Sequence, residues 1–360
     1  MDETIRLELF QRNHAIIEAV KAKAERDCPG AVDLIAVTGS FASGDYYEKS
    51  DLDLLIVINN NTGWNVAKCF ILGNTAHDIY CHSWEKMERM AGYNDPYVMK
   101  LVNSEIVYSS RKKAEKKYHY LRERLLKTLG SPLDKETLEK SNRYFRSALV
   151  EYARMCLEDD FSQCKYLSAG IIEYIENALY MLNKEYIKHG IRGIPNEICS
   201  MKLLPEHFQK LYFGLIKADS LPVLRRSAGD LLKNMDVLLT QTGEAIFPKK
   251  EVSADALRGT YEEIFSNWKN KMHHAADIND TYLSLMTAAS CQNFYDELFQ
   301  EYKMEHFNLM KGFQINDPGK SAENFDSVMG QFRGLYEKAS LPICHYDTLD
   351  EFVKDYLDDN

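Results

Sequence analysis

Asp51 and Asp53 stand two residues apart at the head of an apolar run, Leu54-Leu-Ile-Val-Ile58. In an extended strand, side chains at i and i+2 share a face, so the two carboxylates would lie side by side. Among buried leucines they repel each other. Either one of them takes up a proton or a cation sits between them. A hard divalent ion such as Mg²⁺ suits oxygen ligands of this kind. Upstream, beyond residues 41–50, stands Gly39-Ser40. Glycine lets the backbone approach a phosphate closely at positive φ, and the Ser40 hydroxyl and nearby amides can donate to phosphate oxygens. Gly44 permits a second tight bend. Lys49 and Ser50, just ahead of the acids, are further candidates for nucleotide contact.

A two-metal site wants a third carboxylate from another strand. The candidate is Asp78, in Ala76-His-Asp-Ile-Tyr-Cys-His-Ser-Trp84. Alternation puts Asp78, Tyr80 and His82 on one face and His77, Ile79 and Cys81 on the other. The two histidines therefore cannot share a zinc ion. With Asp78 in place, two Mg²⁺ ions about 4 Å apart would stabilise the entering and leaving oxygens of an in-line displacement. For the general base, Glu151 ranks ahead of Glu173 and Glu176, because it interrupts an otherwise apolar stretch, Ala148-Leu-Val-Glu-Tyr-Ala153. The bland alternative is a solvent-facing helical glutamate. Arg143, Arg146 and Lys165 are candidate phosphate contacts, with surface ion pairs as the alternative.

The elements that must position these groups follow from hydrophobic periodicity. Residues 3–27 read as a helix ended by Cys28-Pro-Gly30. Strands are expected at 31–37, 52–58, 76–82 and 105–108, with a helix starting near Ser83. Beyond residue 110 the pattern is helical: 111–129, 134–158, 165–188, 206–218 and 222–241, with His189-Gly-Ile-Arg-Gly-Ile-Pro195 as a break and 243–248 as a linker. Four or five more helices are expected over 251–357. The fold class is thus α+β: an α/β module with a mixed sheet, followed by all-α helical parts. The expected division is a catalytic domain at 1–110, a helical substrate-binding domain at 111–245 and an additional helical domain of unknown role at 250–360.

Gly39-Ser40-Phe-Ala-Ser-Gly44, followed by Ser50-Asp51-Leu-Asp53 and its apolar run, resembles the signature of the DNA polymerase β-like nucleotidyltransferase superfamily. The likeness covers about residues 31–110. It implies that Gly39 and Ser40 hold the β- and γ-phosphates, that Asp51 and Asp53 bind both metals, and that Asp78 completes the site. Asn183-x-x-Tyr186 through Gly190-x-Arg192-Gly193, followed by Glu197, is similar to the helical domain of antibiotic nucleotidyltransferases such as the kanamycin and lincosamide enzymes. That likeness implies a small-molecule acceptor and a site built across a homodimer.

Composition narrows the field. The chain has 360 residues, 45% hydrophobic and 27% charged, as soluble globular proteins do. A net charge of −10 argues against a duplex nucleic-acid binder. No apolar run could span a bilayer, and the N-terminus lacks the pattern of a signal peptide. The eight cysteines form no C-x-x-C pair, which suits free thiols in a cytoplasm. The expectation is an Mg²⁺-dependent transferase that moves a nucleoside monophosphate from an NTP, ATP for preference, to a hydroxyl of a small, antibiotic-like acceptor. Nucleotidylation of a protein or tRNA end, cyclic-oligonucleotide synthesis and non-catalytic nucleotide sensing are the alternatives.

Overall fold

The computed structural model describes residues 3–44 and 46–358. Two compact units divide it, Met1–Ile246 and Phe247–Asn360.

In the first unit, β1 (Val32–Thr38) is buried along its whole length, which requires cover on both faces. α1 (Glu3–Asp27) covers one, setting Ile16, Ile17, Val20 and Ala24 against Val32, Ile35 and Val37. α3 (Trp84–Ala91), α4 (Met99–Val102) and α5 (Lys112–Leu129) cover the other with Met87, Leu101, Tyr118 and Leu121 against Leu34 and Ala36. The sheet runs β5–β2–β1–β6, where β2 is Asp53–Ile58, β5 is Cys81–Ser83 and β6 is Glu105–Ser109. β1 is antiparallel to both neighbours, and β5 is parallel to β2, so the sheet is mixed as expected. Leu54, Ile56 and Ile58 of β2 join the α1 side, and Leu55 and Val57 join the other. By alternation Asp53 belongs to the Leu55 side.

The strand expected at 76–82 divides at Tyr80. β4 (Thr75–Ile79) pairs with β3 (Lys68–Leu72) as a separate antiparallel ribbon, and only β5 enters the main sheet. β3 went unforeseen because four of its five residues are exposed, so it carries no buried–exposed alternation. Ser83 caps α3, accepting from the Lys86 amide, as its place before the helix suggests.

A clamp holds the far end of the sheet. Asp33 is buried, and its carboxylate accepts from Trp84 Nε1 at 2.8 Å, Asn59 Nδ2 at 2.9 Å and Arg111 Nε at 3.0 Å. Burial works to raise its pKa, yet these donors hold it below the ordinary value.

The helices α6 (Lys135–Leu157), α7 (Phe161–Asn183), α9 (Phe208–Ile216) and α10 (Leu221–Ile246) share one core around Ile171, Ile175, Leu179 and Leu231. α7 stops at Asn183, earlier than periodicity suggests, because Lys184 turns left-handed at φ +50°. Lys184 Nζ then reaches back to Asp134, Ser131 and the Pro132 carbonyl. The Tyr93 hydroxyl of the sheet module donates to the carbonyls of Tyr180 and Glu185. These bonds fix where the chain leaves α7. The segment 189–195, expected as a break, instead opens α8 (Gly190–Cys199), with Pro195 inside it. Propensity argues against a helix there. Glu197 supplies the compensation by accepting the amides of Lys188 and His189 from within α8. α10 likewise runs on into the expected linker.

The second unit packs α11 (Ala254–Leu257), α12 (Thr260–Ile264), α13 (Asn270–Asp277), α14 (Thr281–Glu301) and α15 (Pro318–Lys338) around Tyr295, Phe307, Phe325 and Phe332. α16 (Leu349–Asp358) is exposed over residues 349–357. Among the described residues no helix is long and apolar enough to cross a membrane.

Removing the Asp33 carboxylate should cost stability even though it lies far along β1 from the aspartate pair. Asp33→Ala is expected to lower unfolding free energy by about 2–4 kcal/mol in urea melts. Arg111→Ala should cost less, since the Arg111 side chain is 55% exposed against 4% for Asp33. Equal losses would show that the pair, not the buried carboxylate, matters.

Candidate active site

The turn between β1 and β2 is built around one close approach. Gly39 opens a short helix, α2 (Gly39–Ser43), at φ +68°. A Cβ at this position would stand 2.1 Å from Asp53 Oδ2 and 2.8 Å from its Cγ. Any other residue would be strained by φ and would push the carboxylate aside. Gly44 then ends α2 at φ +81°. Thr38, the last residue of β1, is paired with Asp53 across the ladder.

Three neighbours hold the Asp51–Asp53 stretch. Arg12 of α1 donates to the Ser50 carbonyl at 2.6 Å, and its charge lies near Asp51. The Ser50 hydroxyl accepts the Tyr47 amide at 2.9 Å, closing the turn before the acids. His77 stacks on Phe70 and its Nδ1 accepts the Leu52 amide at 3.3 Å. That bond needs an unprotonated Nδ1, and burial, reinforced by Arg12, lowers the His77 pKa. Asp53 shows the opposite strain: burial first, then the Asp51 charge, raise its pKa, and Lys100 offsets only part of this.

These residues line one cleft of about 1010 Å³. Gly39, Ser40, Lys49, Ser50, Asp51 and Asp53 contribute to it, so six of the residues singled out from sequence come together. Lys188, His189, Arg192 and Asn196, around the start of α8, also line it. Sequence reasoning named Arg192 only as part of the likeness to antibiotic enzymes, read His189 as part of a helix break, and singled out neither Lys188 nor Asn196. The signal was there in Lys188, His189 and Arg192 set around Gly190 and Gly193, glycines that let a backbone come close to a ligand.

Glu197 organises that wall. Its carboxylate accepts from the Tyr180 hydroxyl at 2.7 Å, the His189 amide at 2.8 Å, His189 Nδ1 at 2.8 Å and the Lys188 amide at 3.1 Å. Gly193 makes room for this. A Cβ there would meet His189 Cβ at 2.4 Å and Glu197 Oε1 at 3.0 Å.

Other expected site residues stand elsewhere. Asp78 is exposed on the ribbon and accepts from the Cys69 thiol at 2.9 Å. Its face is the expected one. Counting back from the Ile56–Cys81 pair brings it level with Asp53. However, the break at Tyr80 ties β4 to β3 rather than to β2, and the carboxylate does not line the cleft. Among the described residues no group of three or more His, Cys, Asp or Glu side chains is close enough to hold a metal ion. The expected three-acid cluster is therefore a pair in this conformation. Glu151 does not reach the cleft either. It bonds Arg154 at 3.0 Å on its own helix, and its Cγ packs beside Gly170 of α7. Glu176 is bonded by the Tyr212 hydroxyl and pushed up to about 7, mainly by burial. Glu173 lies by Tyr97. Lys165 donates to the Ala218 carbonyl at 3.0 Å. None of these, nor Arg143 or Arg146, lines the cleft.

Residues 15–156 match the family model described as nucleotidyltransferase domain. The matched span is a nucleotidyltransferase domain, and it contains both the glycine turn and the aspartate pair. It also aligns with the crystal structure of a nucleotidyltransferase-like protein from Exiguobacterium sibiricum, at 13% identity and a TM-score of 0.34, covering 62% of this chain and 74% of that one. That likeness is too remote to bear on the site. No curated protein matches the chain.

The raised Asp53 pKa has a measurable sign. The folded state binds the Asp53 proton more tightly than the unfolded state does. The penalty is therefore absent below the ordinary carboxyl pKa and complete above the raised one. Asp53→Asn should raise the Tm of metal-free protein at neutral pH by roughly 2–4 °C, the shift that about 1 kcal/mol produces in a unit of this size. The gain should fade as pH drops towards 4. Added Mg²⁺ should stabilise the wild type and not the variant, read by scanning fluorimetry.

Proposed function

We propose that the protein transfers a nucleoside monophosphate, AMP for preference, from an NTP to a hydroxyl of a small-molecule acceptor and releases pyrophosphate. The observation that carries this reading is a single cleft with a strained aspartate pair and a set of cations. Mg²⁺ fits the acids present. It is commonly held by one or two carboxylates together with substrate phosphates, and a bound cation would offset the repulsion between two adjacent carboxylates. Asp51 and Asp53 would hold it. Asp78, level with them, takes the third position once its carboxylate leaves the Cys69 thiol. When bound, the ion neutralises charge on the phosphates and polarises the reacting phosphoryl group.

The chain's own residues do the rest. The Gly39 and Ser40 backbone and the Ser40 hydroxyl receive the terminal phosphates. Lys49, Lys188 and Arg192 balance the remaining charge; Lys49 and Arg192 have no ion-pair partner among the described residues. Phosphoryl-type transfer asks a protein chiefly for such positioning and electrostatic stabilisation. A cleft of this volume accommodates a nucleotide together with a small acceptor.

The deciding experiment incubates purified protein with α-labelled ATP, Mg²⁺ and a pool of hydroxylated small molecules, with proteins, RNA and ATP alone as separate arms. Label should move to a small molecule. Label in a protein or RNA, or a nucleotide product from ATP alone, would replace the acceptor part of the reading, and no transfer in any arm would end it. Asp51→Asn and Asp53→Asn should each lower turnover at least about 100-fold with the fold intact by circular dichroism. Asp78→Asn tests the third position: unchanged turnover would leave a two-carboxylate site. Arg192→Ala should raise the KM for ATP roughly tenfold, as loss of one charged phosphate contact does.

A further inference from the structure

We propose that His189 takes the proton from the acceptor hydroxyl, held for that task by Glu197. This rests on the nucleotidyl-transfer reading and adds to it the residue that activates the acceptor.

The geometry assigns the tautomer. An ionised carboxylate only accepts, so the 2.8 Å contact with Glu197 Oε1 places the imidazole proton on Nδ1. The lone pair is then on Nε2, which has no hydrogen-bond partner among the described residues. The two side chains differ in exposure as an orienting acid and an open base should: 11% for Glu197 against 58% for His189. Burial works to raise the Glu197 pKa, yet the Tyr180 hydroxyl, His189 and the two amides hold it below its ordinary value. Glycine at 193 is what lets the imidazole and the carboxylate stand this close.

Location supplies the second argument. His189 lines the cleft that holds Asp51 and Asp53, whereas Glu151, Glu173 and Glu176 do not. Among the described side chains lining the cleft, His189 is the one imidazole, and the aspartates are taken up with the ion. Carboxylate, imidazole and hydroxyl in series is an arrangement that activates weak nucleophiles. In the step, the acceptor oxygen bonds to the α-phosphorus, and the bond from that phosphorus to the bridging oxygen of pyrophosphate breaks. The hydroxyl proton goes to Nε2. The imidazolium, paired with Glu197, returns the proton to water once the products leave.

The test uses the full-length chain with Mg²⁺ and ATP. Kanamycin, lincomycin and water serve as acceptors, and pyrophosphate release is followed. His189→Gln should keep Mg·ATP binding within about twofold by calorimetry and lose about 100-fold or more in kcat. Imidazole should restore part of the loss in His189→Gly. Glu197→Gln should lower kcat with the KM for ATP unchanged. Independently of turnover, ¹⁵N-histidine spectra of the resting protein should show His189 protonated at Nδ1. An Nε2–H tautomer would overturn the proposal, as would wild-type kcat in His189→Gln. Loss of ATP binding in that variant would make His189 a loop support and overturn it too. Absence of pyrophosphate release by the wild type with these acceptors, together with no label transfer in any arm of the labelled-ATP experiment, would fail the transfer reading itself, and this inference with it.

Discussion

The site depends on the lack of space between Gly39 and Asp53. The backbone of α2 lies so close to the carboxylate that no side chain fits between them. That contact sets the glycine turn against the acid pair. It also removes water from Asp53 while leaving Asp51 beside it, so that the resting protein carries an electrostatic cost there. The surrounding bonds look like the means of bearing that cost. Arg12 anchors the Ser50 carbonyl, Ser50 closes the preceding turn, and His77 fixes Leu52 between the two acids. Each holds the backbone, and none donates a hydrogen bond to the Asp53 carboxylate.

The contrast with Asp33 shows that burial alone does not make an acid functional. Asp33 is the more buried of the two, but Trp84, Asn59 and Arg111 satisfy it, and its pKa is depressed. Asp53 has a like charge for a neighbour and a raised pKa. A structural acid collects donors until it is stable as an anion. A binding acid is left short of them, and the ligand makes up the difference.

This difference explains what could be read in the sequence. The glycine turn, the Asp-x-Asp pair and the buried strand behind it are local, so residue type and spacing revealed them. α1, β1, β2 and β6 lie close to where periodicity puts them. Asp78 was placed correctly by face, but its partner strand was not. β3 is exposed, and nothing in its composition announces that it draws β4 into a separate ribbon. Glu151 misled for a related reason. An acid in an apolar stretch can face a neighbouring helix and its own Arg154 instead of a site. The wall at 188–196 was hardest to see. Its helix forms against propensity, because Glu197, inside α8, caps the amides that precede it.

That local bond bears on how the two halves of the cleft work together. Asp53 opens β2, whose other residues are buried and which is paired with both β1 and β5, and Asp51 stands just ahead of it. Lys188, His189 and Arg192 sit on a loop and first turn held by a single carboxylate, the Lys184 contacts and the Tyr93 hydroxyl. Acids at the head of a paired strand and a cationic wall tied at a few points suit a reaction in which the nucleotide and its ion must be placed before the acceptor is engaged. The same carboxylate that permits the helix also orients the imidazole. Glutamine at 197 can still accept an amide proton yet sets no charge against the imidazole, whereas alanine would lose the support of the wall as well. Only a readout that separates nucleotide binding from turnover can tell these two effects apart.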